Sequence, residues 1–242
     1  DLFEKYSISA TFGFVSALCL ERDELQARVL ALRDGFIYKG RPWLAAVKTA
    51  VALGKFEGWS EPQLIDHVLA RGRHHVCSHG GTHIPYSETG TPVHAIHEDI
   101  KLIKTVHHQK NLELDAFIFP RNIVGYRNEL ATAGFHGYRN MDPQERQGGA
   151  LGKIGRVLNE FIPLDAADVN TNRARHDGQL LCLSSAKFLN ARISYRKCVL
   201  AGFTRYRLDQ LIENTIRNHG VMHIYTHPHN YLRDPGLFAT LD

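Results

Sequence analysis

Short hydrophobic runs alternate with amphipathic segments along most of the chain, and each kind of pattern predicts a different element. Runs rich in β-branched and aromatic residues predict buried strands, and apolar residues that recur every three to four positions predict helices. The predicted strands are residues 8–15, 74–78, 114–119, 135–139, 180–184 and 221–225. The predicted helices are residues 2–6, 23–32, 43–53, 61–70, 94–109, 126–133, 150–161 and 207–218.

Polar residues at the ends of these segments sharpen the predicted boundaries. Asp23 is a predicted N-cap, and Ser60 with Gln63 forms a predicted capping box ahead of the next helix. Gly134 predicts the end of the helix before it. Residues 86–92 are predicted to be a polar linker.

Strands that alternate with helices imply a parallel sheet in the α/β class. With about seven such units, a distorted β/α barrel is the leading architecture, and a doubly wound open sheet is the alternative. The chain contains no internal repeat and no linker long enough to divide it. It is therefore predicted to be a single domain over residues 1–242, incomplete at both termini because the first and last segments begin or stop within an element.

Composition narrows the class of protein without giving it a function. A hydrophobic fraction of 43% and a charged fraction of 22% are typical of a globular protein. The net charge of +4 is mild and its cations are scattered, so nucleic-acid binding is not predicted. Neither a membrane span nor a signal peptide is predicted. The cysteines, predicted to be buried free thiols, favour a reducing, cytoplasmic location, and they are Cys19, Cys77, Cys182 and Cys198.

The segment from Ser78 to His83 carries the clearest chemical signal in the sequence. His79 and His83 are separated by Gly80, Gly81 and Thr82, and they follow a predicted strand. Two imidazoles at this spacing can bind one divalent metal ion, which would point to hydrolysis. The spacing alone is weak, because the chain holds 15 histidines and no Glu follows the first as in zincins.

Two further polar clusters also follow predicted strands directly. One contains Arg121 and Asn122 after Pro120, and the other contains His227 and His229. Catalytic groups in parallel α/β folds gather at the carboxyl ends of the strands, so the three clusters together predict one active site. Simpler alternatives remain open: Arg121 could pair with a surface carboxylate, and the strand residue His223 could serve only in packing.

The chain resembles the polysaccharide deacetylase family of metal-dependent carbohydrate esterases, which have a distorted β/α barrel. The resemblance covers most of the chain and rests on several stretches in order. The SHGGTH and FPRN motifs are the most specific pair, and the matching stretches are residues 2–12, 78–83, 119–122, 134–139 and 224–227.

This resemblance implies removal of N-acetyl groups from a sugar or polysaccharide, with release of acetate, in bacterial surface-polysaccharide biosynthesis. It implies that His79 and His83 bind one divalent ion, zinc, and that Arg121 orients the catalytic base. His227 would be the general acid, and Asn122 would help to position the sugar. The base and the third metal ligand are an Asp-Asp pair in the family, and we expect that pair upstream of the first residue of this sequence.

Two rival functions follow from the same residues. A non-catalytic carbohydrate-binding protein on the same scaffold would lack the upstream Asp-Asp pair. A metal-dependent phosphoesterase would need ligands for a second metal ion. The second dense histidine cluster, formed by His223, His227 and His229, keeps that hypothesis open.

Overall fold

A computed structural model describes residues 2–32, 35–140, 174–184 and 187–241. The helix predicted over residues 150–161 lies outside these ranges. The described residues fall into two compact units. The sheet unit contains Ser7–Asn140 and His176–Cys182, and the C-terminal unit contains residues 183–184 and 187–241 together with 2–6 and 174–175.

The predicted α/β class with a largely parallel sheet is confirmed. Six strands form one sheet in the order β1-β4-β5-β6-β8-β7, and the pairs β1–β4, β4–β5 and β5–β6 are parallel. A short antiparallel hairpin, β2–β3, and a separate parallel pair, β9–β10, complete the strands of the described residues. Their bounds are β1 Thr11–Phe14, β2 Ile37–Tyr38, β3 Arg41–Pro42, β4 His75–Ser78, β5 Ala116–Ile118, β6 Gly137–Asn140, β7 Arg175–Asp177, β8 Leu180–Ser184, β9 Lys187–Phe188 and β10 Ile224–Tyr225.

The helices of the described residues follow the predicted amphipathic segments closely in the sheet unit. Short 3-10 turns occupy Ser16–Cys19, Pro120–Asn122 and Ser194–Cys198. The α-helices are α1 Leu2–Lys5, α2 Arg22–Ala31, α3 Ala45–Ala52, α4 Pro62–Leu69, α5 Val93–Gln109, α6 Arg127–Ala133, α7 Ala201–Arg217, α8 Pro228–Arg233 and α9 Gly236–Leu241. None of the helices within these ranges combines the length and the apolar character that a bilayer crossing requires.

Helix α5 buries the apolar stripe that its sequence period predicts. Ile96 and Ile103 are fully buried against the sheet unit's core, which also contains Phe117 and Phe119 of the β5 region. The predicted polar linker over residues 86–92 is wrong in character, because Tyr86 is itself fully buried in this core. Its ring centroid lies 4.8 Å from that of Phe117, and Ser87 and Thr91 of the same segment are buried as well.

The predicted caps of two helices are wrong. Asp23 lies in the first turn of α2, whose N-cap is Glu21. The N-cap of α4 is Glu61, and the predicted cap Ser60 is instead buried and donates its hydroxyl to the carbonyl of Leu20 at 2.8 Å. In both cases the N-cap lies one or two residues from the predicted position, which is the usual uncertainty of a helix boundary.

Elements of two or three residues escaped the sequence analysis because so short a run shows no period. The hairpin β2–β3 and the strand β9 are the clearest examples. Helix α7 also begins at Ala201, earlier than the predicted residue 207.

All four cysteines are free, and two of them depart from the predicted burial, since Cys182 is only half-buried and Cys198 is exposed. Cys19 and Cys77 are buried, and burial raises the pKa of each thiol to about 12. Such thiols are poor nucleophiles at neutral pH. Cys198 is exposed, so its prediction as a buried thiol is wrong. It lies in a 3-10 turn that faces solvent despite the apolar residues after it.

An ion pair in the C-terminal unit makes the stability of that unit depend on pH. Arg192 donates from Nε and Nη2 to the two carboxylate oxygens of Asp234 at 2.7 and 2.8 Å, and these hydrogen bonds lower the pKa of Asp234. The stabilisation is present above the unfolded carboxyl's pKa of about 4 and is lost as the pH falls through the lowered pKa. We expect the free energy of unfolding, measured with denaturant from pH 7 to pH 2, to fall less with decreasing pH in Arg192→Ala than in the wild-type protein. An equal fall in both proteins would contradict the assignment.

Candidate functional site

The parallel strands bring two of the three polar clusters to one edge of the sheet. Because β1, β4, β5 and β6 run in the same direction, their carboxyl ends lie at the same edge. His79 follows β4 directly, and the turn that contains Arg121 and Asn122 begins two residues after β5. The third cluster follows β10, which pairs with β9 in the separate two-stranded sheet.

Backbone hydrogen bonds fasten the loop between the two histidines to the segment that leaves β1. The His79 amide donates to the carbonyl of Phe14 at 2.7 Å. The carbonyls of Gly80 and Gly81 accept from the amides of Ser16 and Ala17 at 3.0 and 2.8 Å. These bonds continue the β1–β4 pairing beyond the strands, so the loop starts from a fixed point.

Both glycines of this loop are required by its geometry. Gly80 has a φ of +87°, which side chains on an L-residue rarely allow. Gly81 has a different reason, since a Cβ there would lie 2.5 Å from the backbone oxygen of Asp99 and 2.9 Å from its Oδ1. The loop therefore packs directly against helix α5.

Asp99 is the buried anchor of the loop, and the sequence analysis missed it. Its carboxylate accepts from the amides of Gly81 and Thr82 at 2.7 Å each, from the Thr82 hydroxyl at 2.6 Å and from the Tyr86 hydroxyl at 3.0 Å. Burial raises the pKa of Asp99, and the four donors oppose that rise. The signal was available, because Asp99 lies on the apolar stripe of α5 between Ile96 and Ile103, where a charged residue needs polar partners.

His79 and His83 come together at the end of the loop. Their ring centroids are 4.7 Å apart, and the rings are inclined at 73°. Nδ1 of His79 lies 2.8 Å from the carbonyl oxygen of Ile118 in β5, and a carbonyl can only accept. Nδ1 therefore donates to this carbonyl, which in the neutral imidazole leaves the lone pair on Nε2, as in histidines that ligate metals with a carbonyl behind them.

The donor set fits part of a zinc site. Two neutral imidazoles are ligands that zinc prefers, and the tautomer of His79 is set correctly for it. Within the described ranges, however, no group of three or more His, Cys, Asp or Glu residues is arranged to hold a metal ion. The described part of the chain thus offers a pair of ligands, and a third protein ligand would have to come from elsewhere in the protein.

The Arg121 guanidinium lies over aromatic rings. Its guanidinium carbon lies 4.9 Å from the centroid of Trp43 and 5.7 Å from that of Tyr38. The alternative that Arg121 pairs with a surface carboxylate finds no support among the described residues. The Asn122 side-chain oxygen accepts a hydrogen bond from Arg139 at the end of β6.

Trp43 connects Arg121 with the histidine loop, and it too was missed as a site residue. Its indole Nε1 donates to the carbonyl of Thr82 at 3.0 Å, and its ring lies within 25° of parallel to that of His83, with centroids 6.5 Å apart. Tyr38 meets the indole edge-on at 5.8 Å. Trp43 follows the β2–β3 hairpin, which no sequence pattern predicted.

The backbone is left-handed at three of the four predicted site residues of the sheet unit. His83, Arg121 and Asn122 have φ values of 60°, 55° and 54°. An L-residue in this conformation costs roughly 1 kcal/mol or more relative to the right-handed region. Such outliers persist only where surrounding contacts hold them, which is the role of the contacts just described.

The third cluster lies in the C-terminal unit, so His227 is in a different unit from the other predicted site residues. His227 is the N-cap of α8, and its ring lies 5.2 Å from that of His229, within 11° of parallel. The ring of Phe188 meets the His227 ring edge-on, with the two centroids 5.3 Å apart. The buried Asn230 fixes the start of the helix by donating to the carbonyl of Leu189 at 2.9 Å.

In the same unit, the ring of His223 packs beside that of Tyr225. Their rings lie 5.9 Å apart within 28° of parallel. The contact fits the packing alternative for His223.

Comparison with known proteins identifies no relative of this chain. No family model, no curated protein and no solved structure matches it. The case for a function therefore rests on the motifs and on the geometry of the site at the carboxyl edge of the sheet.

Proposed function

We propose that the chain is a metal-dependent hydrolase that removes N-acetyl groups from a sugar or polysaccharide and releases acetate. The observation that carries the proposal is the His79–His83 pair, with its tautomer set by the Ile118 carbonyl and its loop anchored on Asp99. The distorted barrel of about seven strands belongs to the same proposal. The strand order β1-β4-β5-β6 is compatible with it.

His79 and His83 would hold the divalent ion, and zinc suits their nitrogen donors. A bound ion would polarise the acetyl carbonyl and lower the pKa of water toward neutrality. The proposal also needs a general base and a third ligand. The family resemblance assigns both to a pair of aspartates, and these would lie beyond the described residues.

Arg121 suits the task of orienting that base. Its charge is permanent, and its planar guanidinium can donate to both oxygens of a carboxylate, which Lys could not do. The rings of Trp43 and Tyr38 fix the plane of the guanidinium. Asn122 would contact the sugar, with its side-chain oxygen oriented by Arg139.

His227 would protonate the leaving amine, because its intrinsic pKa lies near neutrality. This assignment rests on the resemblance alone and has its own readout. If it is correct, His227→Ala will reduce turnover far more than it reduces metal binding. An equal loss of both would contradict it.

The metal content of the purified protein tests the proposal. We expect about one zinc ion per chain, lost in both His79→Ala and His83→Ala because each variant removes one of the two imidazole ligands. His136→Ala is the matched control, since His136 is an exposed histidine of the same unit, and it should keep the ion. Acetate release from N-acetylated sugars should follow metal content across the four proteins.

Metal retained by both loop variants would refute the site, and a metal-free wild-type protein would favour the second candidate. That candidate is a non-catalytic carbohydrate-binding protein, which the lack of a third ligand among the described residues favours. It predicts sugar binding without acetate release. Isothermal titration with N-acetylated oligosaccharides, followed by an acetate assay on the same mixture, separates the two functions.

A further inference from the structure

We infer that Trp43 is a positioning residue that holds the His83 loop and the Arg121 guanidinium in a fixed relation to each other. The inference rests on the proposed function for its catalytic meaning. The contacts of Trp43 are observed within the sheet unit and do not depend on that function.

Trp43 contacts both halves of the site, the loop that carries His83 and the turn that carries Arg121. Its indole N–H binds the carbonyl of Thr82, the residue before His83, and its ring lies nearly parallel to the His83 imidazole. The same ring carries the Arg121 guanidinium at 4.9 Å. Displacing the indole would therefore release His83 and Arg121 together.

The backbone explains why such a support is needed. His83 and Arg121 both have left-handed φ values, so their side chains leave turns that could relax to other conformations. The indole is itself well fixed. The Trp43 amide donates to the Phe36 carbonyl at 2.7 Å, and the adjacent Leu44 is buried in the core.

Fluorescence can test these contacts without any activity. The chain has two tryptophans, so Trp59→Phe leaves Trp43 as the only indole. In that background we expect Arg121→Ala and His83→Ala each to raise the acrylamide quenching constant by about twofold, because each removes a group that covers the ring. His136→Ala should leave it unchanged. Equal constants in all four proteins would overturn the inference.

Zinc binding tests the consequence for the site. We expect Trp43→Ala to weaken zinc affinity by about tenfold, as loss of an outer-shell contact does, with an unchanged thermal unfolding midpoint as the check on folding. Trp43→Phe should recover part of the loss, because it restores the ring but not the N–H bond to Thr82. Wild-type affinity in Trp43→Ala would overturn the inference.

The two proposals fail in different ways. If the wild-type protein binds no zinc, the hydrolase proposal falls, and the quenching constants alone decide whether Trp43 positions His83 and Arg121. If zinc binds normally but quenching is indifferent to both substitutions, the metal site stands and the role of Trp43 is refuted.

Discussion

Replacing Asp99 with alanine should lower the free energy of unfolding by about 4 kcal/mol, because it leaves four hydrogen-bond donors without their acceptor and two of these are buried. The Gly81 amide and the Tyr86 hydroxyl are buried, and each loses its acceptor. The two Thr82 donors are half-buried and add less. Urea unfolding with a fixed slope measures the change.

A matched carboxylate shows what the burial contributes. Asp66 forms an exposed ion pair with Lys110 at 2.6 Å, and Asp66→Ala should cost less than about 1 kcal/mol. Asp99→Asn preserves the shape but offers one acceptor oxygen and an amide that faces donors, so about 2 kcal/mol is expected. Equal costs for Asp99→Ala and Asp66→Ala would refute the role of Asp99 as the anchor of the loop.

Gly81→Ala should be nearly as damaging, although it adds a single methyl group. The new Cβ would lie 2.5 Å from the Asp99 backbone oxygen, and that oxygen belongs to a helix whose apolar face is buried. Neither side can yield without moving a hydrogen-bonded backbone, so we expect a loss of about 3 kcal/mol in the free energy of unfolding. Metal binding should weaken as well, because the loop would have to leave α5.

Gly202 provides the control for this substitution. It lies in helix α7, and a Cβ there would meet no atom within 4 Å. Gly202→Ala should leave stability unchanged or raise it by up to about 1 kcal/mol, the ordinary gain of alanine over glycine in a helix. A similar loss in both variants would mean that the clash at Gly81 relaxes easily and that the loop is less fixed than its contacts indicate.

The spacing of apolar residues and the polar residues that follow the predicted strands were enough to predict much of the sheet unit. The apolar stripe of α5 and the strands β4 and β5 follow from local pattern, and parallel pairing then brings His79 to the same edge as Arg121. What the sequence could not supply was contact at long separation. The bond from Trp43 to Thr82 spans 39 positions, and no local pattern encodes it.

The cluster around His227 shows the limit of the strand-end argument. A polar cluster after a strand marks the carboxyl end of that strand, but it does not say which sheet the strand joins. Strand β10 keeps only two residues of the predicted strand 221–225, and it pairs with β9, which is too short to be predicted. The placement of His227 in one active site with His79 therefore stays a prediction.

The left-handed backbone at His83, Arg121 and Asn122 has a consequence for engineering. Glycine at any of these positions would relax the main chain, and it would also delete the functional group that the turn presents. A search for heat-tolerant variants that scores folding alone would select glycine at these positions and remove the functional groups of the site. At these three residues, a substitution that raises thermal stability would lower activity. A library of variants should therefore leave all three unchanged.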